Sequence, residues 1–98
     1  MNYVLVVTRA AEIDIEESFH WYEDQAEGLG NAFRDAARAA AEQAASRPLS
    51  FAEVEDETRR VVLKKFPYSL FFLVDDNKVV VTACVHQRRD PDVWSLRA

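Results

Sequence analysis

The spacing of hydrophobic and polar positions divides the chain into two helical stretches and four strand-like ones. Residues 3–7 are apolar and largely β-branched, as in a strand, and Thr8 then offers a side-chain oxygen able to cap a helix. Over residues 10–25, with Ala26 just beyond, Ile15, Phe19, Tyr22 and Ala26 recur at steps of four, three and four, which is one apolar stripe of a helix. Glu12, Asp14, Glu16 and Glu17 occupy its first turns, where the helix dipole favours negative charge. Gly28-Leu29-Gly30 breaks the pattern, and Asn31 is a candidate cap for a second helix over residues 31–46. That helix places Phe33, Ala36, Ala37, Ala40 and Ala44 on one side, a slim face that another element can approach closely, and Pro48 stops it.

The acidic stretch Glu53-Val54-Glu55-Asp56-Glu57 reads as a solvated loop. Three strands follow, over residues 58–66, 69–74 and 78–86. Asp75-Asp76-Asn77 supplies a hairpin turn, and Phe66-Pro67 marks a kink because proline cannot donate to a ladder. The predicted order is β-α-α-β-β-β: an α+β fold, with a helical hairpin packed on a mostly antiparallel four-stranded sheet. Asp90-Pro91-Asp92 is expected to turn the chain into a short terminal segment carrying Trp94 and Arg97.

Composition narrows the class. At 98 residues, 49% hydrophobic and 30% charged, residues 1–98 are expected to form a single folded domain. No apolar run reaches a membrane span, and residues 1–7 lack the basic start of a secretory signal, so a cytoplasmic protein without a membrane partner is expected. Charge is polarised. Residues 58–98 hold eight basic residues and four acids, a net of +4, whereas residues 1–57 hold four basic residues and thirteen acids, a net of −9. An overall charge of −5 argues against general attraction to nucleic acid, so direct sequence-specific DNA binding is not expected.

Metal chemistry finds no support, because His20 and His86 lack partners at ligand spacing and Cys84 is the sole cysteine. No nucleophile elbow is present, Gly28 and Gly30 do not follow a strand in a phosphate-binding pattern, and no cofactor is implied. The candidates are cationic and aromatic. His86 and Arg88 share parity at the end of a strand, with Arg89 opposite, and such a cluster suits a phosphate or carboxylate. A solvated strand end, its arginines paired with Asp90 and Asp92, is the plainer alternative. Arg59, Arg60, Lys64 and Lys65 flank Val61-Val62-Leu63, where charge serves binding or simply blocks edge-to-edge aggregation. Tyr68 is an acid–base, stacking or structural residue, Trp21 and Tyr22 read as packing residues, and Trp94 as a staple or interface anchor.

In order and spacing, these features resemble the RelE/ParE-type toxins of bacterial type II toxin–antitoxin pairs. The resemblance runs through Ala10-Ala11-Glu12-Ile13-Asp14-Ile15, Trp21-Tyr22-Glu23, Gly28-Leu29-Gly30, Phe33, Pro48, Arg59-Arg60 and Phe66-Pro67-Tyr68. It continues into the run from His86 to Trp94. RelE-type members cut ribosome-bound message with basic residues and a C-terminal tyrosine. Matching Tyr68-Ser69-Leu70 to their Tyr-Arg-Leu puts Arg60 on an expected lysine and Arg88 on an expected arginine. Val62 then replaces a second lysine, Ser69 the central arginine, and Trp94 the tyrosine. Each lost transition-state donor costs roughly 2.7–4 kcal/mol, so a nuclease missing three groups is disfavoured. The resemblance thus implies a ParE-like toxin that poisons DNA gyrase by binding, a plasmid-stabilising, growth-arresting protein neutralised by a cognate antitoxin. A RelE-like endoribonuclease and a detoxified binding-only member are the alternatives. The expected contacts are Arg59, Arg60, Lys64, Tyr68, His86, Arg88, Arg89 and Trp94, gathered on one cationic face.

Overall fold

The structure, a computed structural model, describes residues 3–88. Strand β1 (Val4–Val7) leads into α1 (Arg9–Gln25) and α2 (Leu29–Ser46). A short 3₁₀ turn (Pro48–Ser50) then precedes β2 (Glu53–Glu55), β3 (Thr58–Val62), β4 (Tyr68–Asp75) and β5 (Lys78–His86). The sheet has five strands in the order β1-β5-β4-β3-β2. β1 runs parallel to β5, and every other neighbouring pair is antiparallel.

Two corrections to the four-stranded expectation follow. The acidic stretch contributes a strand of its own, β2, because Arg59 anchors it: the guanidinium donates to the Phe51 carbonyl and to Glu53 Oε1 at 3.3 Å. Asp56 and Glu57, both with positive φ (38° and 66°), then turn the chain tightly into β3. All three residues of β2 are exposed, so its carboxylates sit on the sheet edge, where charge discourages pairing with another chain. The second correction is the parallel pairing of the first and last strands, with Val4 opposite Lys78 and Val7 opposite Val81. A third change is that β3 ends at Val62 rather than Phe66. The chain turns through Lys65 (φ 68°), and Tyr68 N–H donates to the Phe66 carbonyl at 2.8 Å.

Thr8 caps α1 as its sequence position suggests, with Oγ1 accepting from Ala11 N–H at 3.2 Å. The start of α2 differs from expectation. Gly28, at φ 86°, is its N-cap, and Asn31 lies inside the first turn. The capping is done by Glu23, whose two carboxylate oxygens each accept a backbone N–H at 2.9 Å, from Gly28 and Gly30. This closes the helical hairpin tightly. A Cβ at Gly30 would lie 2.6 Å from the Phe19 carbonyl oxygen and 2.9 Å from Glu23 Oε1. Gly30→Ala is therefore expected to cost about 1–3 kcal/mol through forced separation of the helices. Thermal unfolding should show it as a Tm lower by roughly 4–8 °C per kcal/mol.

The alanine-rich face of α2 packs on the sheet as expected. Phe33, Ala37, Ala40, Ala41 and Ala44 are buried with Val61, Leu63, Leu70, Phe72, Val79, Val81 and Cys84. Phe71, Ala83 and Val85 form a second buried cluster. They alternate with the first set along β4 and β5 and so belong to the opposite face of the sheet.

Candidate functional site

A groove of about 580 Å³ separates α1 from the ends of β4 and β5. One wall comes from α1: Asp14, Glu17, Ser18 and Trp21 follow one another at steps of three, one and three, the spacing of a single helix face. The other wall is Tyr68, Cys84, Val85, His86 and Arg88, with Tyr22 between the two. Acid therefore faces cation across a floor of aromatic rings.

The aromatic floor is anchored in the core. Tyr22 stacks on Phe33 (centroids 5.3 Å) and meets Phe66 edge-on at 5.0 Å. Tyr68 lies edge-on to Phe33 at 4.9 Å and to His86 at 5.1 Å. Burial raises the Tyr22 pKa, and so do its neighbours Tyr68 and Cys84; a hydrogen bond to Tyr68 works in the same direction. Tyr22 is thus a neutral phenol that fixes geometry. His86 is fixed as well, because its Nδ1 accepts the Arg88 backbone N–H at 3.0 Å.

The register sorts the predicted contact residues. Tyr68 pairs with His86, and Leu63 N–H reaches the Tyr68 carbonyl at 3.0 Å, so these three share one row of the sheet. Beyond that row Gln87 N–H donates to the Pro67 carbonyl at 2.8 Å. Lys64, Lys65 and Arg88 consequently gather past the same end of the sheet, all exposed. The opposite end carries acid, from Asp56 and Glu57 in one turn and Asp75 and Asp76 at the other. Arg60 does not join the cationic end. It pairs with Phe71, itself opposite Ala83, and so projects from the face away from the helices. Arg59 is tied to Phe51 and Glu53. The expected single face is thereby split: Tyr68, His86 and Arg88 share the groove, Lys64 sits at its end of the sheet, and Arg59 and Arg60 lie elsewhere. Arg89 and Trp94 lie outside the described residues.

Sequence reasoning misses the α1 wall. Trp21, a packing residue by its sequence context, is 57% exposed. Asp14 and Glu17 suit the first turns of a helix without pointing to a site, and Ser18 does not stand out at all. Their signal is present all the same: they repeat at helical spacing beside the apolar stripe of Ile15, Phe19 and Tyr22. Among the described residues, no group of three or more His, Cys, Asp or Glu side chains is placed to hold a metal ion. No helix among them is long and apolar enough to cross a membrane.

The sequence matches the family described as the ParE toxin of type II toxin–antitoxin systems (parDE) over residues 5–91. The chain belongs to that family. Among solved structures it is similar to a chain of the chromosomal ParDE toxin–antitoxin system from P. aeruginosa. That likeness has a TM-score of 0.75 at 17% identity, and covers 86% of this chain and 95% of the other. No curated protein matches the sequence.

Proposed function

We propose that this chain is the active toxin of its pair, poisoning DNA gyrase by binding and neutralised in the cytoplasm by a cognate antitoxin. The observation that carries this reading is membership of the ParE family across residues 5–91. The similar P. aeruginosa chain comes from a ParDE toxin–antitoxin system, which supports an antitoxin partner. Two further residues weigh against message cleavage. Ser69, where the RelE resemblance calls for arginine, is buried on the sheet, and Val62, where it calls for lysine, is an exposed apolar side chain. Neither can hold a phosphate or move a proton.

Tyr68, His86, Arg88 and Lys64, with the groove beside them, are the contact residues this reading favours. Purified protein should slow gyrase supercoiling in vitro, and its induction alone should arrest growth with DNA-damage signalling. Rapid translational arrest with cleaved message would instead establish the ribonuclease reading, and unimpaired growth at good expression the detoxified one. Arg88→Glu should weaken gyrase or antitoxin binding at least about tenfold, the scale of one charge-assisted contact. Arg38→Glu, on the exposed side of α2, should leave both within about twofold. Equal, small effects of the two variants in a titration would remove Arg88 from the binding surface.

A further inference from the structure

The face of the sheet turned away from the helices carries a deeply buried patch. Ser69, Phe71, Ala83 and Val85 form a two-by-two block there, with Ser69 opposite Val85 and Phe71 opposite Ala83. Each is at most 6% exposed. Their neighbours on the same face are not so deep. Arg60 and Val62, opposite Phe71 and Ser69 on β3, are exposed, and Leu73 and Val80, further along β4 and β5, are half-buried. The two α-helices among the described residues pack on the other face. A sheet by itself leaves the side chains of an uncovered face open to water. The block therefore lies beneath another segment of the chain, one that crosses β4 and β5 but not β3.

Position and chemistry select that segment. The block lies at the His86 end of β5, where the chain runs on into residues 89–98, whereas β1 enters beside Lys78 at the other end. Residues 89–98 carry Val93, Trp94 and Leu96 behind Asp90-Pro91-Asp92, a sequence that favours a turn. The stretch from Arg88 to Trp94 reaches up to about 20 Å, whereas the block extends only about 7 Å along the strands. A chain reversed at Pro91 thus has length enough to bring Trp94 over Phe71. An indole, with about 150–250 Å² to bury, is also large enough to cover a phenyl ring and its small neighbours.

We propose that residues 89–98 fold back as a strap across this face, with Trp94 seated on Phe71, Ala83 and Val85. The strap closes the side of the sheet behind the groove. Trp94 then serves as a packing residue and not as a contact for gyrase or antitoxin, and partner contacts are left to the groove side. The chain is also anchored on both sides of Arg88, which keeps that guanidinium at the groove.

Trp21→Phe makes Trp94 the single tryptophan of the chain, and Trp21 is exposed enough for the fold to tolerate the change. In that variant acrylamide should quench Trp94 at least about threefold less in the folded chain than in urea, as for a ring largely removed from water. Trp94→Ala in the full chain should raise the unfolding constant read from urea melts at least about tenfold. Phe71→Leu, which keeps most of the volume and so the fold, should couple to it. The double variant should fall short of the product of the single effects by about twofold or more. Equal quenching in folded and unfolded chains would overturn the strap, and so would fully multiplicative effects. Protection of Trp94 only at concentrations where the chain sediments as a dimer would give the face to a second copy instead. Lost antitoxin binding at undiminished stability in Trp94→Ala would make Trp94 an interface anchor and overturn the strap as well. The stability and quenching measurements need no partner, so the strap can fail while the toxin reading stands.

Discussion

Replacing Phe33 by alanine is expected to cost roughly 3–5 kcal/mol of stability, the largest loss foreseen for any one side chain here. Phe33 is completely buried, and its ring touches Tyr22, Phe66 and Tyr68 at centroid distances of 4.9–5.3 Å. Truncation removes a large apolar group and leaves a space that its neighbours cannot readily fill. Ala37 and Ala40, on the same face of α2, are too short to reach across. A domain of this size has about 5–15 kcal/mol in hand, so the variant should unfold at much lower urea. Tyr22 and Tyr68 also lose the ring that orients them, and the groove floor should loosen with the core. A free energy of unfolding in urea within about 1 kcal/mol of wild type would show that these rings do not form one packed unit. Phe33→Leu, which refills most of the volume, should recover a large part of the loss.

Some of this architecture is legible in local chemistry. Residues 78–86 form β5 as expected, because an Asp-Asp-Asn turn precedes a β-branched run. The end of α2 at Ser46 follows from Pro48. Other features depend on partners distant in sequence. β2 exists because Arg59 reaches Phe51 and Glu53, and no property of an acidic stretch announces that pairing. The parallel match of β1 to β5 leaves no local trace, since a strand's pattern records its faces and not its neighbours.

The candidate site divides along the same line. Tyr68 and His86 are legible because they fall in strand-like stretches, and the groove brings them together with Arg88, which lies in the turn after β5. Arg60 is misplaced by sequence because its face depends on register across β3 and β4. Trp21 is misread because it lies one residue from Tyr22, about 100° around the helix from the apolar stripe. That single step takes it from the core to the groove. The two walls of the groove therefore come from opposite halves of a polarised chain: the acidic half supplies α1, and the basic half supplies the end of β5. Their opposition gives the site its own selectivity, and a partner must satisfy both walls at once.

Cys84 provides the second large effect, in its reactivity and in its response to pH. Burial pushes its thiol from the usual 9.0 up to about 12, and the nearby Asp14 carboxylate adds to the shift. Only the thiolate is nucleophilic, so a rise of about three pH units leaves about a thousandth of the ordinary thiolate between pH 7 and 8. Iodoacetamide should therefore modify the folded chain about a thousandfold more slowly than the chain in urea. Asp14→Ala should recover part of the rate by removing the smaller cause. The same shift links folding to pH. Above pH 9 the unfolded thiol loses its proton while the folded one keeps it, so the unfolded state binds fewer protons and stability falls as pH rises. The loss is nil below about pH 8, roughly 1 kcal/mol by pH 10, and continues to grow towards about pH 12. Cys84→Ala should lower stability at neutral pH through a small cavity, yet remove this part of the alkaline decline. Urea midpoints for both proteins from about pH 7 to 10.5 decide it: parallel curves would mean that the thiol titrates alike in the folded and unfolded chains.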